Sequence, residues 1–150
     1  MKKSFASGVI VISILALIVV GEVSAKEWET DFAIASNRAK VAGKYMLLNF
    51  TGSDWCGWCV RLDKEVFKKY EFKRFARQNL VCVTLDYPQK LRQSRKRKDQ
   101  NAKLKSKYGI SGFPTIIVLT PDGKVVGRTG YLKGGAGNYV NHLKELIGKQ

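Results

Sequence analysis

The sequence Trp55-Cys56-Gly57-Trp58-Cys59 places two cysteines three positions apart, each preceded by a tryptophan. It follows the apolar run Tyr45-Met46-Leu47-Leu48-Asn49-Phe50, which is typical of a buried strand. A helix that begins at the first cysteine holds the second cysteine one turn further in, within reach of a disulfide. The spacing therefore predicts a thiol exposed at a helix N-terminus, an inner thiol, and a reversible disulfide between them.

Hydrophobic periodicity and turn residues around this motif predict an alternating α/β chain that forms one domain. A helix ending near Gly43 comes first, the helix after the cysteines changes phase near Tyr70, and a basic helix covers much of 93–108. The last helix is predicted to have Asn138 as its N-cap and 134–137 as a flexible lead. The predicted strands are Tyr45–Phe50, Leu80–Leu85, Thr115–Leu119 and Lys124–Thr129, the last two joined by a turn at Pro121-Asp122-Gly123.

The first 25 residues have the composition of a signal peptide. Lys2 and Lys3 precede an apolar stretch at 9–20, and Val23-Ser24-Ala25 ends in the small-x-small pattern of a cleavage site. We expect residues 1–25 to be removed, leaving a domain at 26–150; the alternative is an uncleaved membrane anchor. Both interpretations place the domain outside the cytoplasm, in the periplasm or another extracytoplasmic compartment.

The chain has 150 residues, of which 27 are basic and 12 acidic, giving a formal net charge of +15. Much of the excess lies in the segment 90–107, where Asp99 is the only acidic residue. This segment has no interleaved aromatic residues to stack on bases, so we expect no nucleic acid partner. The charge favours attraction to an anionic membrane surface or to acidic client proteins, and a solvated helix face is the alternative.

Cys82 is the third cysteine, and it lies inside a predicted buried strand, where a cysteine behaves as a small apolar residue. Three cysteines exclude a scaffold of several disulfides. A copper chaperone that recruits Cys82 or His142 to the close pair is one alternative function. We expect no metal, because neither a second pair of cysteines nor a close histidine completes a ligand set.

Three features together resemble the thioredoxin superfamily. They are the WCxxC motif after a strand, the segment Gly109-Ile110-Ser111-Gly112-Phe113-Pro114-Thr115, and Gly130 after the final strand. The stretch 50–59 is similar to exported bacterial thioredoxin-like domains that pass electrons to periplasmic thiols. The resemblance covers nearly all of 26–150 and implies a thioredoxin-like α/β fold. That fold has a central mixed β-sheet flanked by helices, here with an additional N-terminal helix, and a cis Pro114 that faces the cysteines.

The resemblance also implies a thiol-disulfide oxidoreductase that needs no cofactor and exchanges its dithiol or disulfide with client proteins. Cys56 is the predicted nucleophile, because the free N–H groups and partial positive charge of a helix N-terminus favour a thiolate. Cys59 is the predicted resolving cysteine. The predicted client-binding residues are Trp55, Gly57, Trp58, Phe113 and Pro114.

Of the two tryptophans, we expect Trp55 mainly to pack and Trp58 mainly to contact clients. We expect a monomer that acts as a reductant or an isomerase-like relay and takes electrons from an unidentified donor protein. A non-catalytic adaptor that binds clients through the tryptophans and the basic segment is the second alternative function.

Two positions differ from thioredoxin itself. Gly57-Trp58 stands between the cysteines where thioredoxin has Gly-Pro, and Asn49 stands where thioredoxin keeps a buried aspartate. Asparagine forms hydrogen bonds but does not accept a proton in that role, so proton transfer at the inner cysteine must use water or another group. Asp54 is expected either to raise the pKa of a cysteine thiol through its charge or to be a solvated loop acid.

Overall fold

The structure is a computed structural model that describes residues 27–148. The predicted signal peptide at 1–25 lies outside the described residues. Across 27–148, every helix is too short or too polar to cross a bilayer.

Four strands form one mixed sheet in the order β2-β1-β3-β4. β1 is parallel to β2 and antiparallel to β3, and β4 returns antiparallel to β3 as the second arm of a hairpin. This arrangement confirms the predicted central mixed sheet. The strands are β1 (Tyr45–Thr51), β2 (Leu80–Asp86), β3 (Thr115–Leu119) and β4 (Val125–Thr129).

Helices cover both faces of this sheet. A π-helical turn at Asp63–Phe67 follows the second helix, and the third begins at Tyr70, so the predicted change near Tyr70 is confirmed and starts earlier, at Asp63. The N-terminal helix is also confirmed, and it ends at Gly43, whose φ of 62° is the left-handed conformation that glycine adopts without strain. The helices are α1 (Phe32–Ala42), α2 (Gly57–Leu62), α3 (Tyr70–Asn79), α4 (Arg95–Lys107) and α5 (Gly135–Gly148).

The core is divided by β1, the central strand that contacts both β2 and β3. Met46, Leu48 and Phe50 point into the cluster beneath α1 and α4, whereas Leu47 points into the cluster beneath α2, α3 and α5. Because side chains alternate along a strand, Asn49 lies on the same face as Leu47. The strand therefore delivers Asn49 to the face that the cysteine-bearing helix covers.

The outer edge of β2 is covered by the segment that precedes α1. The Glu29 N–H donates to the Cys82 carbonyl at 2.8 Å, and the Thr84 N–H donates to the Glu29 carbonyl at 2.8 Å. Glu29 also pairs through its side chain with Arg38 of α1. The bridge satisfies backbone groups that an open sheet edge leaves unpaired.

The predicted start of the last helix is wrong. α5 begins at Gly135, so Asn138 lies inside its first turn, where the side-chain Nδ2 donates to the Lys133 carbonyl at 2.8 Å. Gly134 and Gly135 complete the preceding turn with φ values of 105° and 71°. Ala136 is buried in the core, so 135–137 are fixed at the start of α5 rather than being a flexible lead.

Cys82 is buried in β2 and is unpaired, in agreement with the predicted apolar role. Burial raises the pKa of its thiol, and the Glu27 charge adds to this effect. Both causes keep the thiol protonated and unreactive.

We predict that Cys82→Ser lowers the free energy of unfolding by about 1–3 kcal/mol, because the new hydroxyl has no partner in an apolar cluster. Cys82→Ala should cost less, since it leaves no polar group unpaired. Urea unfolding measures both, and disulfide exchange should persist in both variants. A serine variant as stable as the parent would contradict the apolar surroundings.

Candidate active site

Cys56 and Cys59 form a disulfide at the start of α2, with their Cα atoms 5.2 Å apart. The Cys56 N–H donates to the Gly52 carbonyl at 2.9 Å, which closes the turn between β1 and the helix. Cys56 is the N-cap of α2, and its Sγ accepts the Cys59 backbone N–H at 3.2 Å. The predicted placement of the pair at a helix N-terminus is confirmed.

The predicted exposure of Cys56 is wrong for this disulfide form. Cys56 is only 7% exposed and Cys59 4% exposed. The cause is the capping geometry, which folds the Cys56 Sγ back over the first turn of α2, where it meets both the Cys59 Sγ and the Cys59 N–H. The exposed groups around the disulfide are Trp55, Gly57 and Trp58 instead.

The two cysteines still differ in what they face. Cys59 lines a cleft of about 390 Å³ beneath α2, and Cys56 does not. We call this space the inner cleft; Asn49 and Thr84 of the sheet, Trp28, and Asp63 and Lys68 after α2 also line it. Asn49 is 9% exposed, and its side-chain Oδ1 is buried without a hydrogen-bond partner among the described residues. Cys59 is thus the inner cysteine, and it borders a cleft of mixed polar and apolar lining.

Trp55 forms one wall beside the disulfide. Its indole N–H donates to the Tyr87 carbonyl at 2.8 Å, and its ring packs edge-on against Phe113 at 5.7 Å between centroids. Gly52 lies beneath the ring, where a Cβ would stand 2.4 Å from an indole carbon. Trp55 therefore has the packing role predicted for it, while 42% of the residue remains exposed.

Phe113 and Pro114 reach this wall through the sheet. Thr115, the first residue of β3, pairs with Phe50 near the end of β1, so the residues before β3 lie next to the turn that leads to Cys56. The peptide bond between Phe113 and Pro114 is cis. Gly130 lets the chain after β4 approach closely, since a Cβ there would lie 3.2 Å from the Pro114 carbonyl oxygen.

Trp58 forms the second wall. The Arg61 guanidinium lies 5.5 Å from the Trp58 ring centroid and 5.3 Å from that of Tyr131, and the two rings are 5.2 Å apart. Glu65 holds this cluster together: it accepts from Arg61 Nε at 2.7 Å and from the Tyr131 hydroxyl at 2.6 Å. The Tyr131 hydrogen bond lowers the pKa of Glu65, and the same bond raises the pKa of Tyr131.

Sequence reasoning missed this cluster. Arg61 and Glu65 are four residues apart on consecutive helical turns, a spacing that signals a possible ion pair. Tyr131 lies beyond β4, and no local pattern links it to Trp58.

Asp54 does not match either interpretation proposed for it. Its carboxylate accepts three backbone N–H groups, from Gln89 at 3.0 Å, Lys90 at 2.7 Å and Leu91 at 2.9 Å. These bonds, led by that of Gln89, lower the pKa of Asp54. The residue is committed to holding the 89–91 loop beside the motif rather than to solvent or to the thiols.

The alternative metal ligands lie elsewhere. Cys82 is in the core part of β2, and His142 is on α5 beside Tyr139. In residues 27–148, no three His, Cys, Asp or Glu side chains come together in a group that could hold a metal ion.

A disulfide at the start of a helix, set beside a cis-proline segment on a four-stranded mixed sheet, defines a thiol-disulfide oxidoreductase of thioredoxin fold. The thioredoxin-like domain family matches residues 32–144. The chain belongs to this family.

Two relatives agree with this assignment. The disulfide bond reductase DsbH of Chlamydia pneumoniae is 36% identical over 121 residues, which is 81% of this chain and 72% of that protein. The thioredoxin-related protein DsbJ of the same organism is 34% identical over 103 residues, or 69% of this chain but 30% of that protein.

Solved structures agree as well. A DsbH oxidoreductase superposes with a TM-score of 0.77 at 36% identity, covering 82% of this chain and 85% of that one. A thioredoxin from Thermus thermophilus, at 18% identity, shares the fold with a TM-score of 0.62, over 81% of this chain and 87% of its own.

The three hydrogen bonds to Asp54 make the 89–91 loop sensitive to pH. Because its pKa is lowered in the folded protein, its contribution to stability is complete above the unfolded-state pKa and is lost as the pH falls through the folded value. NMR shifts of the Gln89, Lys90 and Leu91 amides should therefore titrate together below the ordinary aspartate value of 3.8. Asp54→Asn should abolish this titration. Amides that titrate at or above the ordinary value would contradict the proposed bonding.

Proposed function

We propose that the protein reduces disulfides in client proteins, with Cys56 as the attacking thiolate and Cys59 as the resolving thiol. The observation that carries this assignment is the hydrogen bond from the Cys59 N–H to the Cys56 Sγ at the start of α2. A backbone donor and the positive end of a helix stabilise a thiolate at Cys56 and not at Cys59. The name of the similar protein DsbH, a disulfide bond reductase, supports the reducing direction.

The reaction takes two exchanges. The Cys56 thiolate attacks one sulfur of the client disulfide, forms a mixed disulfide and releases the other client sulfur as a thiolate. The Cys59 thiolate then attacks the Cys56 sulfur, which breaks the mixed disulfide and releases the second client thiolate. The client gains two electrons, and the protein is left with the Cys56–Cys59 disulfide. A donor protein must return the two electrons by the reverse exchanges.

The two walls favour an extended client segment across Cys56. Trp55 with Phe113 and Pro114 offers apolar contact on one side, and Trp58, which is 54% exposed, offers it on the other. Gly57 lies between them, and open space surrounds the position of its missing Cβ, so a client backbone meets no side chain there. Exposed aromatic groups around a reactive centre are common anchors of protein contacts.

Acidic clients fit the charge beside the first wall. Lys105 of α4 places its Nζ 5.3 Å from the Phe113 ring centroid and 5.6 Å from that of Tyr87. The basic helix α4 therefore extends its charge to the aromatic wall at the active site. An anionic membrane surface is the alternative partner for this helix.

The protein is proposed to act outside the cytoplasm as a monomer. The signal-like sequence of residues 1–25 supports the location. In that setting, the clients that carry the disulfides and the electron donor are all proteins of an oxidising compartment.

We expect Cys59→Ser to accumulate a mixed disulfide between Cys56 and a client, because the resolving thiol is absent. Non-reducing electrophoresis after acid quenching in the native host measures the adduct, and multiple turnover with a model disulfide should fall to background. Cys56→Ser is the matched control and should form no adduct. Equal adduct formation by both variants would contradict the assignment of Cys56.

Lys105→Gln should raise KM for an acidic peptide disulfide by about two- to five-fold at low salt, since an exposed ion pair is worth up to about 1 kcal/mol. The effect should vanish as the salt concentration rises. Lys103→Gln removes the same charge about 200° around the helix and is the matched control. An equal rise of KM in both variants would indicate a general charge effect. A loss of binding to anionic vesicles without any change in KM would indicate a membrane partner.

A further inference from the structure

The inner cleft brings two other ionisable groups into one space with Cys59. Its ionisable lining groups are Cys59, Asp63 and Lys68, and Asp63 is the only carboxylate among them. Asp63 lies four residues after Cys59, one helical turn away on the same side of the helix. Its Oδ2 accepts from the Lys68 Nζ at 2.5 Å, and 46% of the Asp63 side chain remains exposed. Asp63 therefore connects the interior space to solvent.

Resolution of a mixed disulfide requires that Cys59 lose a proton. Cys59 is 4% exposed, so bases in solution reach it poorly. Asn49 also lines the cleft, and its Oδ1 has no hydrogen-bond partner among the described residues, but the amide has no site for the proton at neutral pH. The cleft is many times larger than the volume needed for one water, so water can fill the gap between these groups.

The other acids near the motif are engaged elsewhere. Asp54 is bound by the 89–91 loop, and Glu65 is bound by Arg61 and Tyr131. Asp86, the last residue of β2, accepts from the Ser53 N–H at 2.9 Å and from the Ser53 hydroxyl at 2.6 Å. None of these three acids lines the inner cleft.

We propose that Asp63 accepts the proton of Cys59 through water in the inner cleft and so supplies the carboxylate that Asn49 lacks. The proposal rests on the proposed function, because it concerns the resolving step of that reaction. The Cys59 thiol and the Asp63 carboxylate become a thiolate and a carboxylic acid. The thiolate attacks the Cys56 sulfur, the bond between Cys56 and the client breaks, and the client leaves as a thiolate. Asp63 then releases its proton to solvent through its exposed side.

Lys68 completes the arrangement. Its ammonium pairs with the Asp63 carboxylate and fixes the position of that carboxylate beside the cleft. The sheet side of the cleft adds no charge, since Asn49, Thr51 and Thr84 are neutral. The segment before α1 contributes only Trp28.

The experiment measures the resolving step at Cys59 separately from the attack by Cys56 on the client disulfide. The full chain, reduced, is mixed with excess peptide disulfide in a rapid-quench instrument, and the mixed disulfide and the released thiols are counted over time across a pH series. Asp63→Asn should form the mixed disulfide at the parental rate but resolve it about 100-fold more slowly near neutral pH, the usual scale of lost general-base catalysis. The deficit should shrink as the pH rises, because hydroxide then removes the proton.

Three further variants distinguish a proton acceptor from a structural support. Asp63→Glu keeps the carboxylate and should retain resolution within a few-fold of the parent. Asn49→Asp combined with Asp63→Asn returns a carboxylate to the cleft from β1 and should restore both the rate and its pH profile. Asp99→Asn removes an exposed acid of α4 and should change neither.

Two results would overturn the proposal. One is an Asp63→Asn protein that resolves at the parental rate with the parental pH profile. The other is a double variant as slow as Asp63→Asn with the same profile, because a carboxylate in the cleft would then not be what the step needs. If the parent itself forms no mixed disulfide through Cys56, the proposed function fails instead, and the two failures are distinguished in one experiment.

Discussion

The bond from the Cys59 N–H to the Cys56 Sγ depends on where α2 begins, and the rest of the site depends on that same point. β1 ends at Thr51, and the turn closed by Gly52 places Cys56 at the first free N–H groups of the helix. Helix dipole and backbone donors then act on one sulfur and leave the other facing the interior. The difference between the two thiols comes from a helix boundary rather than from any charged side chain in contact with them.

The two walls around this helix start are built differently. The Trp55 wall is fixed by a backbone hydrogen bond and aromatic contacts to Tyr87, which follows β2, and Phe113, which precedes β3. The Trp58 wall is held by an exposed cation between two rings and by one carboxylate. The first wall is therefore tied to the sheet, whereas the second belongs to α2 and the chain after β4. A client that binds across both walls would contact two surfaces that different parts of the fold hold in place.

Most of the fold was predictable because its strands are unbroken apolar or β-branched runs bounded by turn residues. Thr115–Leu119 has the predicted bounds, and β1 and β2 differ by one residue each. The predicted N-cap at Asn138 was wrong because a good capping residue that follows glycines can either precede the helix or lie in its first turn. The burial of Ala136 places the helix start before Asn138. The Tyr131 contact and the three bonds to Asp54 join segments far apart in sequence, which local patterns do not encode. The inner cleft is formed by packing of segments far apart in sequence, so only Cys59 and Asn49 among its lining residues could be singled out from the sequence.

The burial of Cys82 has a consequence for how the protein is made. Three cysteines permit three different pairings, and only one of them gives the active site. In the folded domain, β2 and the bridge from Glu29 keep the third sulfur away from exchange, so the correct pairing is enforced by structure and not by thiol chemistry. While the chain is still unfolded, Cys82 is not buried and can pair with either of the other two cysteines. In the proposed extracytoplasmic setting, closure of the sheet competes with formation of the first disulfide. The correct pairing in the active site then depends on β2, a strand that takes no part in the chemistry.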